Sequence, residues 1–160
     1  MVLTLSTPSL TRPTWDDTCM QMLWPLEQRS TCYKHHVAAL LFDPLTKKIV
    51  EVGYNGAPHG MPHCTPETAV MDGPHHINDI HAETNVIVAA GERAKGCTLY
   101  CSLTPCRRCA ILCVQARIGR FVYAQEYNIR DSTDTEFVRK LFKDAGIEFS
   151  EYRVSSVPTD

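Results

Sequence analysis

Apolar residues along this chain follow two rhythms, and the switches between them outline its elements. From Trp15 to about Ser30, Met20, Leu23, Trp24 and the stem of Gln28 recur at helical spacing, with Pro25 set to kink or interrupt the second half. Val37-Ala38-Ala39-Leu40-Leu41-Phe42 and Ile49-Val50-Glu51-Val52-Gly53-Tyr54 are apolar runs on either side of Asp43-Pro44-Leu45-Thr46-Lys47-Lys48, which predicts two strands around a turn. The rhythm is then lost from Asn55 to about Asp79, a stretch holding Pro58, Pro62, Pro66, Pro74, Cys64 and the histidines 59, 63, 75 and 76. Loops of such length in compact domains usually carry function or need a staple. Order returns as a buried helix over 81–90, a strand over 97–103, a helix over 106–116, a strand over 120–124, a helix over 134–144 and a strand over 147–152. Strand and helix in alternation predict an α/β sandwich.

The 160 residues suffice for one domain that buries a single core. Residues 1–14, with Pro8 and Pro13 among serines and threonines, read as a flexible arm, 15–153 as the domain and 154–160 as a tail. The start Met1-Val2-Leu3-Thr4-Leu5-Ser6 has neither the basic region nor the long apolar core of a signal peptide, and no apolar run approaches the ~20 residues of a membrane span. Eight cysteines are therefore expected as thiols or metal ligands in a reducing compartment, the cytoplasm, or the host cytoplasm if a phage encodes the chain. A formal charge of −2 supplies no broad basic field, which argues against nucleic acid as the partner and leaves a small anionic ligand open.

Two strings carry chemistry: His81-Ala82-Glu83 and Pro105-Cys106-Arg107-Arg108-Cys109. A catalytic zinc keeps three protein ligands and an open fourth position, whereas a structural zinc closes all four with Cys or His. His81, Cys106 and Cys109 make three, and Glu83, two residues past the histidine, is placed as a proton shuttle. Both ligand pairs fall at predicted helix starts, Pro105-Cys106 opening the second, where the positive helix terminus favours the thiolates that zinc requires. A cytosolic redox pair is the rival reading of Cys106 and Cys109, but it leaves His-Ala-Glu unexplained. His-x-Glu followed by Pro-Cys-x-x-Cys is the known signature of zinc nucleobase deaminases.

With these strings, Arg29-Ser30-Thr31-Cys32, Gly53-Tyr54-Asn55-Gly56, His81-Ala82-Glu83-Thr84-Asn85, Leu103-Thr104-Pro105-Cys106 and a late Tyr127, the chain resembles the deoxycytidylate (dCMP) deaminase family of the cytidine deaminase superfamily, in its phage and bacterial form. The Gly-Tyr-Asn-Gly string separates that family from relatives such as tRNA adenosine deaminases. The resemblance implies a three-layer α/β/α fold with a central mixed five-stranded sheet and helices on both faces. It also implies hydrolytic deamination of dCMP to dUMP and ammonia, which supplies dUMP for thymidylate synthesis: zinc activates water for attack at C4 of cytosine, and Glu83 passes protons to N3 and the leaving ammonia. Asn55, Ala82, Thr104, Arg29 and Tyr127 fall at substrate-contacting positions. Four of them have a plainer reading: Asn55 as a turn asparagine, Ala82 as a small packing residue, Arg29 as a solvated helix end and Tyr127 as a core or interface aromatic.

Cys32, Cys64 and His75 match positions that hold a second zinc in some members, with His63 or His76 as the fourth ligand. A long loop with little apolar content cannot order itself by burial, whereas a closed zinc site contributes folding energy directly. Cys19, Cys97, Cys101 and Cys113 have no such company and read as core thiols. The resemblance further implies a homohexamer regulated by dCTP and dTTP, with Mg accompanying the triphosphate, at an effector site near Gly53, Tyr54 and Gly56. After His81 the helix runs Val86-Ile87-Val88-Ala89-Ala90, without the aromatic and arginine of some regulated members. Three alternatives stay open: another cytosine substrate (5-substituted dCMP or dCTP), a base in tRNA or single-stranded DNA, and a zinc module without activity, against which the intact Glu83 argues.

Overall fold

A computed structural model describes residues 12–72, 75–127 and 132–154, with the side chains of residues 75, 76, 132 and 133 left aside. The expected arm and tail therefore lie outside the described residues, apart from 12–14 and 154.

Helix α1 (Trp15–Glu27) starts on a capping box: Asp17 N–H donates to Thr14 Oγ1, and Thr14 N–H to the Asp17 carboxylate. Pro25 sits in its last turn, so the helix ends two residues later. Strands β1 (Ala38–Asp43) and β2 (Lys48–Tyr54) form the expected antiparallel pair. The irregular stretch contains a short ladder that its sequence pattern did not announce, β3 (Met71–Asp72) with β4 (His75–His76). Then come α2 (Ala82–Ala90), a 3-10 turn (Gly91–Ala94), β5 (Thr98–Leu103), α3 (Arg107–Gln115), β6 (Arg120–Gln125), α4 (Ser132–Ala145) and β7 (Glu148–Glu151).

The sheet runs β2-β1-β5-β6-β7 and is mixed: β1 is antiparallel to β2 and β5, while β5, β6 and β7 are parallel. Pleating splits β1, β5 and β6 between two cores. Ala39 and Leu41 of β1 face Val86 and Ile87 of α2, Ala110 and Cys113 of α3, and Val138 and Phe142 of α4. Ala38, Leu40 and Phe42 face Cys19, Met20 and Leu23 of α1. One helix on one face and three on the other make the expected three-layer α/β/α fold. The fully buried Phe142 packs on Phe121 and Phe149, and truncating it to Ala would cost about 3–5 kcal/mol. Trp24 shares the helical spacing of α1 but is 68 % exposed, because a stripe through Cys19, Met20 and Leu23 is all the sheet can cover. Charge fastens α1 to the sheet: Asp16 takes a two-pronged bond from Arg120 (2.8 Å to each oxygen) and one from Tyr100 (2.6 Å). Cys19, Cys97, Cys101 and Cys113 are buried free thiols, as expected. Among the described residues no helix is long and apolar enough to cross a membrane.

Candidate metal centre and pocket

The change from antiparallel to parallel pairing occurs at β5, and the candidate site lies at its carboxyl end, where open α/β sheets place their ligands. Antiparallel register brings the start of β1 and the end of β2 to the same edge, β6 ends beside them, and α2 and α3 both begin there. Both of those helices start on a ligand: His81 is the N-cap of α2 and Cys106 the N-cap of α3, so Pro105 precedes the cap instead of occupying the first turn. Cys109 follows within that turn, its N–H directed at Cys106 Sγ at 3.5 Å.

His81 Nδ1 lies 3.5 Å from Cys106 Sγ and 3.4 Å from Cys109 Sγ, and the three ligand atoms fall within 4.8 Å of one another. Tetrahedral angles and ordinary zinc bond lengths put a nitrogen and a sulfur about 3.5 Å apart, so the trio fits a zinc ion with one position left over. Its electrostatics agree. Cys106 is the anion of the group, its thiol held down to about 4 by hydrogen bonding from Cys109 and then from His81. His81 rises to about 9 through that bond to Cys106, and Cys109 is raised by its own hydrogen bond to Cys106 and then by burial. A cation binding here displaces these protons and takes both sulfurs as thiolates. Thr84, which sequence reasoning passed over, places its hydroxyl 3.7 Å from Cys109 Sγ. Its signal was its position, one turn along the helix from His81.

Glu83 is 4 % exposed and stands in the first turn of α2, with its carboxyl pushed up to about 7 by burial above all and then by the negative Cys106, while His81 pulls the other way. It and the ligands His81 and Cys106 line a cavity with Ala82, Asn55, Thr104 and Tyr127, so four of the five expected substrate contacts meet there. Arg29 does not line it and is exposed past the end of α1. Asn55 is buried and its amide is largely used by the protein: Oδ1 accepts from Val37 N–H (2.9 Å) and Ser30 Oγ (2.7 Å), and Nδ2 donates to His35 O (2.7 Å). Thr104 Oγ1 accepts from Tyr127 N–H (2.9 Å), setting that residue at the cavity edge. His35 lines the same cavity and was not singled out by its sequence context.

Cys32 and Cys64 are both buried and come together on a residue sequence reasoning missed, Asp79. The Cys64 thiol donates to Asp79 Oδ1 at 3.2 Å, and burial, with the Asp79 carboxylate second, pushes both thiols up, Cys64 to about 11. His63 is exposed and faces a different cavity, while the side chains of His75 and His76 lie outside the described residues.

That other cavity is lined by Tyr54, Gly56, Thr31 and Asn85 among others. Gly53 has a packing reason: a Cβ there would meet Val86 Cγ1 at 3.0 Å, so the glycine lets α2 lie close on β2. At Gly56 an added Cβ would meet Thr31 Oγ1 at 2.0 Å, so only glycine fits the junction of the loop with the end of α1.

Residues 13–125 match the family described as the cytidine and deoxycytidylate deaminase zinc-binding region. The chain belongs to the cytidine and deoxycytidylate deaminase family. Within it, the deoxycytidylate deaminase of Mus musculus is 32% identical over 144 residues, covering 86% of this chain and 79% of that protein. The Schizosaccharomyces pombe deoxycytidylate deaminase is 29% identical over 158 residues and covers 92% of this chain, which spans 47% of that longer protein. The dCMP deaminase of cyanophage S-TIM5, crystallised with dCMP and dUMP, shares the fold at a TM-score of 0.68 and 24% identity, over 89% of this chain and 99% of that one. The family and its zinc-binding region agree with what the His-Ala-Glu and Pro-Cys-x-x-Cys strings implied.

Proposed function

We propose that this chain is a zinc-dependent dCMP deaminase, converting dCMP and water to dUMP and ammonia with a single domain over about 15–153. The observation that carries the reading is the His81–Cys106–Cys109 trio beside the buried Glu83, which lines one cavity with His81 and Cys106. Relatives named deoxycytidylate deaminase, and a phage relative that binds dCMP and dUMP, supply the substrate.

Zinc held by His81 Nδ1 and the two sulfurs would supply an activated water and positive charge at the reacting carbon. The chain's own residues do the rest. Ala82, fully buried between ligand and acid, offers its backbone N–H to the pyrimidine carbonyl. Glu83 is kept from bulk water, so its carboxyl can both take and return a proton near neutral pH. It accepts one from the attacking water and passes it to ring N3, then takes the remaining proton from the new C4 hydroxyl and passes it to the amine, which leaves C4 as ammonia. Tyr127, braced by Thr104, forms a wall of the base slot. Ammonia release from dCMP tests the reading. Glu83→Gln should lower turnover about 10²–10⁴-fold with zinc content kept, and a variant that retains wild-type turnover would sink the mechanism.

The same reading includes a second zinc, held by Cys32, Cys64 and the expected His75, with Asp79 in place of the expected His63 or His76. Its support is the meeting of two thiols and a carboxylate below a long loop. An effector triphosphate, with its Mg, would bind the cavity lined by Tyr54 and Gly56. Hexamer formation rests on the family resemblance and on exposed Ile49, Val52 and Val88 of the β2–α2 side. A cytoplasmic setting rests on eight cysteines, none of them in a disulfide.

A further inference from the structure

A nucleoside monophosphate brings a dianion to the cavity, and the cavity has no obvious place for it. Among the described residues that line it there is no arginine or lysine, while Asp79 and Glu83 are acidic and His81 is committed to the metal trio. Arg29, the arginine expected to serve, stands exposed away from the lining. One lining side chain outside the trio can become a cation, His35.

We propose that His35 recognises the phosphate, and so makes the cavity prefer a cytosine nucleotide over the nucleoside. The assignment rests on the deaminase reading above. His35 is exposed at the cavity mouth, with its ring edge-on to Tyr127 (centroids 5.5 Å apart, planes at 90°) and Nε2 3.4 Å from the Tyr127 hydroxyl. When that hydroxyl donates to Nε2, the ring proton resides on Nδ1, which leaves the imidazole a donor. The backbone on both sides is fixed in advance: Asn55 donates to His35 O through Nδ2 and accepts from Val37 N–H through Oδ1. Thus the buried Asn55 acts on the substrate partly through the residue it holds, and the donor is placed before the ligand arrives. The pair also joins two ends of the site, since Thr104 holds Tyr127 from β5 while Asn55 holds His35 from β2.

Charge at His35 is conditional. Burial and then the neighbouring Lys34 lower its pKa. The other groups turned toward the cavity are Tyr127 opposite and Asp79, Glu83, His81 and Cys106 deeper in. An approaching phosphate favours the imidazolium and turns a neutral contact into a charge-assisted one.

The test compares zinc-loaded wild type, His35→Ala, His35→Gln and Arg29→Ala with dCMP and deoxycytidine as substrates. In His35→Ala the ratio of kcat/KM for dCMP to that for deoxycytidine should fall about 10- to 100-fold, chiefly through KM for dCMP. His35→Gln should restore part of the ratio and Arg29→Ala should leave it in place. A parallel loss on both substrates in His35→Ala, or collapse of the ratio in Arg29→Ala alone, overturns the assignment. Wild-type protein that releases no ammonia from dCMP removes the deaminase reading and this assignment together, whereas wild-type turnover with the preference intact in His35→Ala removes the assignment alone.

Discussion

Two clusters of cysteine in this molecule are built in opposite ways. His81, Cys106 and Cys109 stand on helix starts whose bodies are fixed in the main core through Val86, Ile87, Ala110 and Cys113, and His81 Nδ1 lies 3.4–3.5 Å from both sulfurs. Cys32, Cys64 and Asp79 come from the segment after α1 and from the long irregular stretch, where order rests on scattered loop bonds such as Gly56 with Ile80 and Val70 with Asn78. In the first case the fold makes the site and the metal adds chemistry. In the second the metal would make part of the fold. On the proposed reading, the same residue type serves catalysis or architecture according to whether burial has already ordered the backbone beneath it.

The sharpest way to break this contrast is to remove one ligand from each cluster. Cys106→Ala should abolish zinc at the trio and take turnover below detection, while the unfolding midpoint moves by only a few degrees because the core already holds α2 and α3. Metal analysis beside a thermal scan checks both halves. Cys64→Ala should do the reverse, losing its metal and roughly 5–10 °C of midpoint while the remaining folded protein still turns over substrate. If the two variants behave alike, the distinction is wrong. Asp16→Asn probes a region without a metal ligand, and should cost about 1.5–3 kcal/mol at neutral pH by removing the charged partner of Arg120 and Tyr100. The Arg120 bond, the larger cause, holds Asp16 below its ordinary 3.8. The wild type's advantage is therefore present above that range and lost as pH falls through the depressed pKa, which denaturant titrations from pH 7 down to 3 will follow. The smallest effect is expected at Thr84→Val, which withdraws a hydroxyl from Cys109 Sγ. Zinc affinity should weaken about tenfold in a competition with a chelator, with the fold intact.

The same contrast explains what could be read from the chain before it folded. Every strand of the sheet and all four long helices announced themselves, because their burial is periodic. His81, Glu83, Cys106 and Cys109 were legible for a related reason: ligands on helix starts have fixed spacings in sequence. Asp79 was not, since a carboxylate in a loop has no period and meets Cys32 and Cys64 only after the chain has turned back on itself. The β3–β4 ladder of two residues per strand is too short to leave a pattern. Asn55 stood out beside its glycines as a substrate contact or a turn residue, but its amide reaches Ser30, His35 and Val37, partners set by tertiary packing. His35 follows from the same packing.

That packing also governs how the protein ages. Asn followed by Gly is the dipeptide most prone to deamidate, because the glycine nitrogen can attack the asparagine amide and close a succinimide. Here the Gly56 N–H is tied to Ile80 O at 3.1 Å, a side chain at Gly56 would collide with Thr31, and the Asn55 amide is held on both its atoms. The ring cannot close without breaking this junction, so the fold acts as a chemical preservative for its own loop. Any opening of the site is then written permanently into the chain as aspartate or isoaspartate at position 55, and the rate of that mass change in stored protein is a clock for local unfolding at the pocket wall.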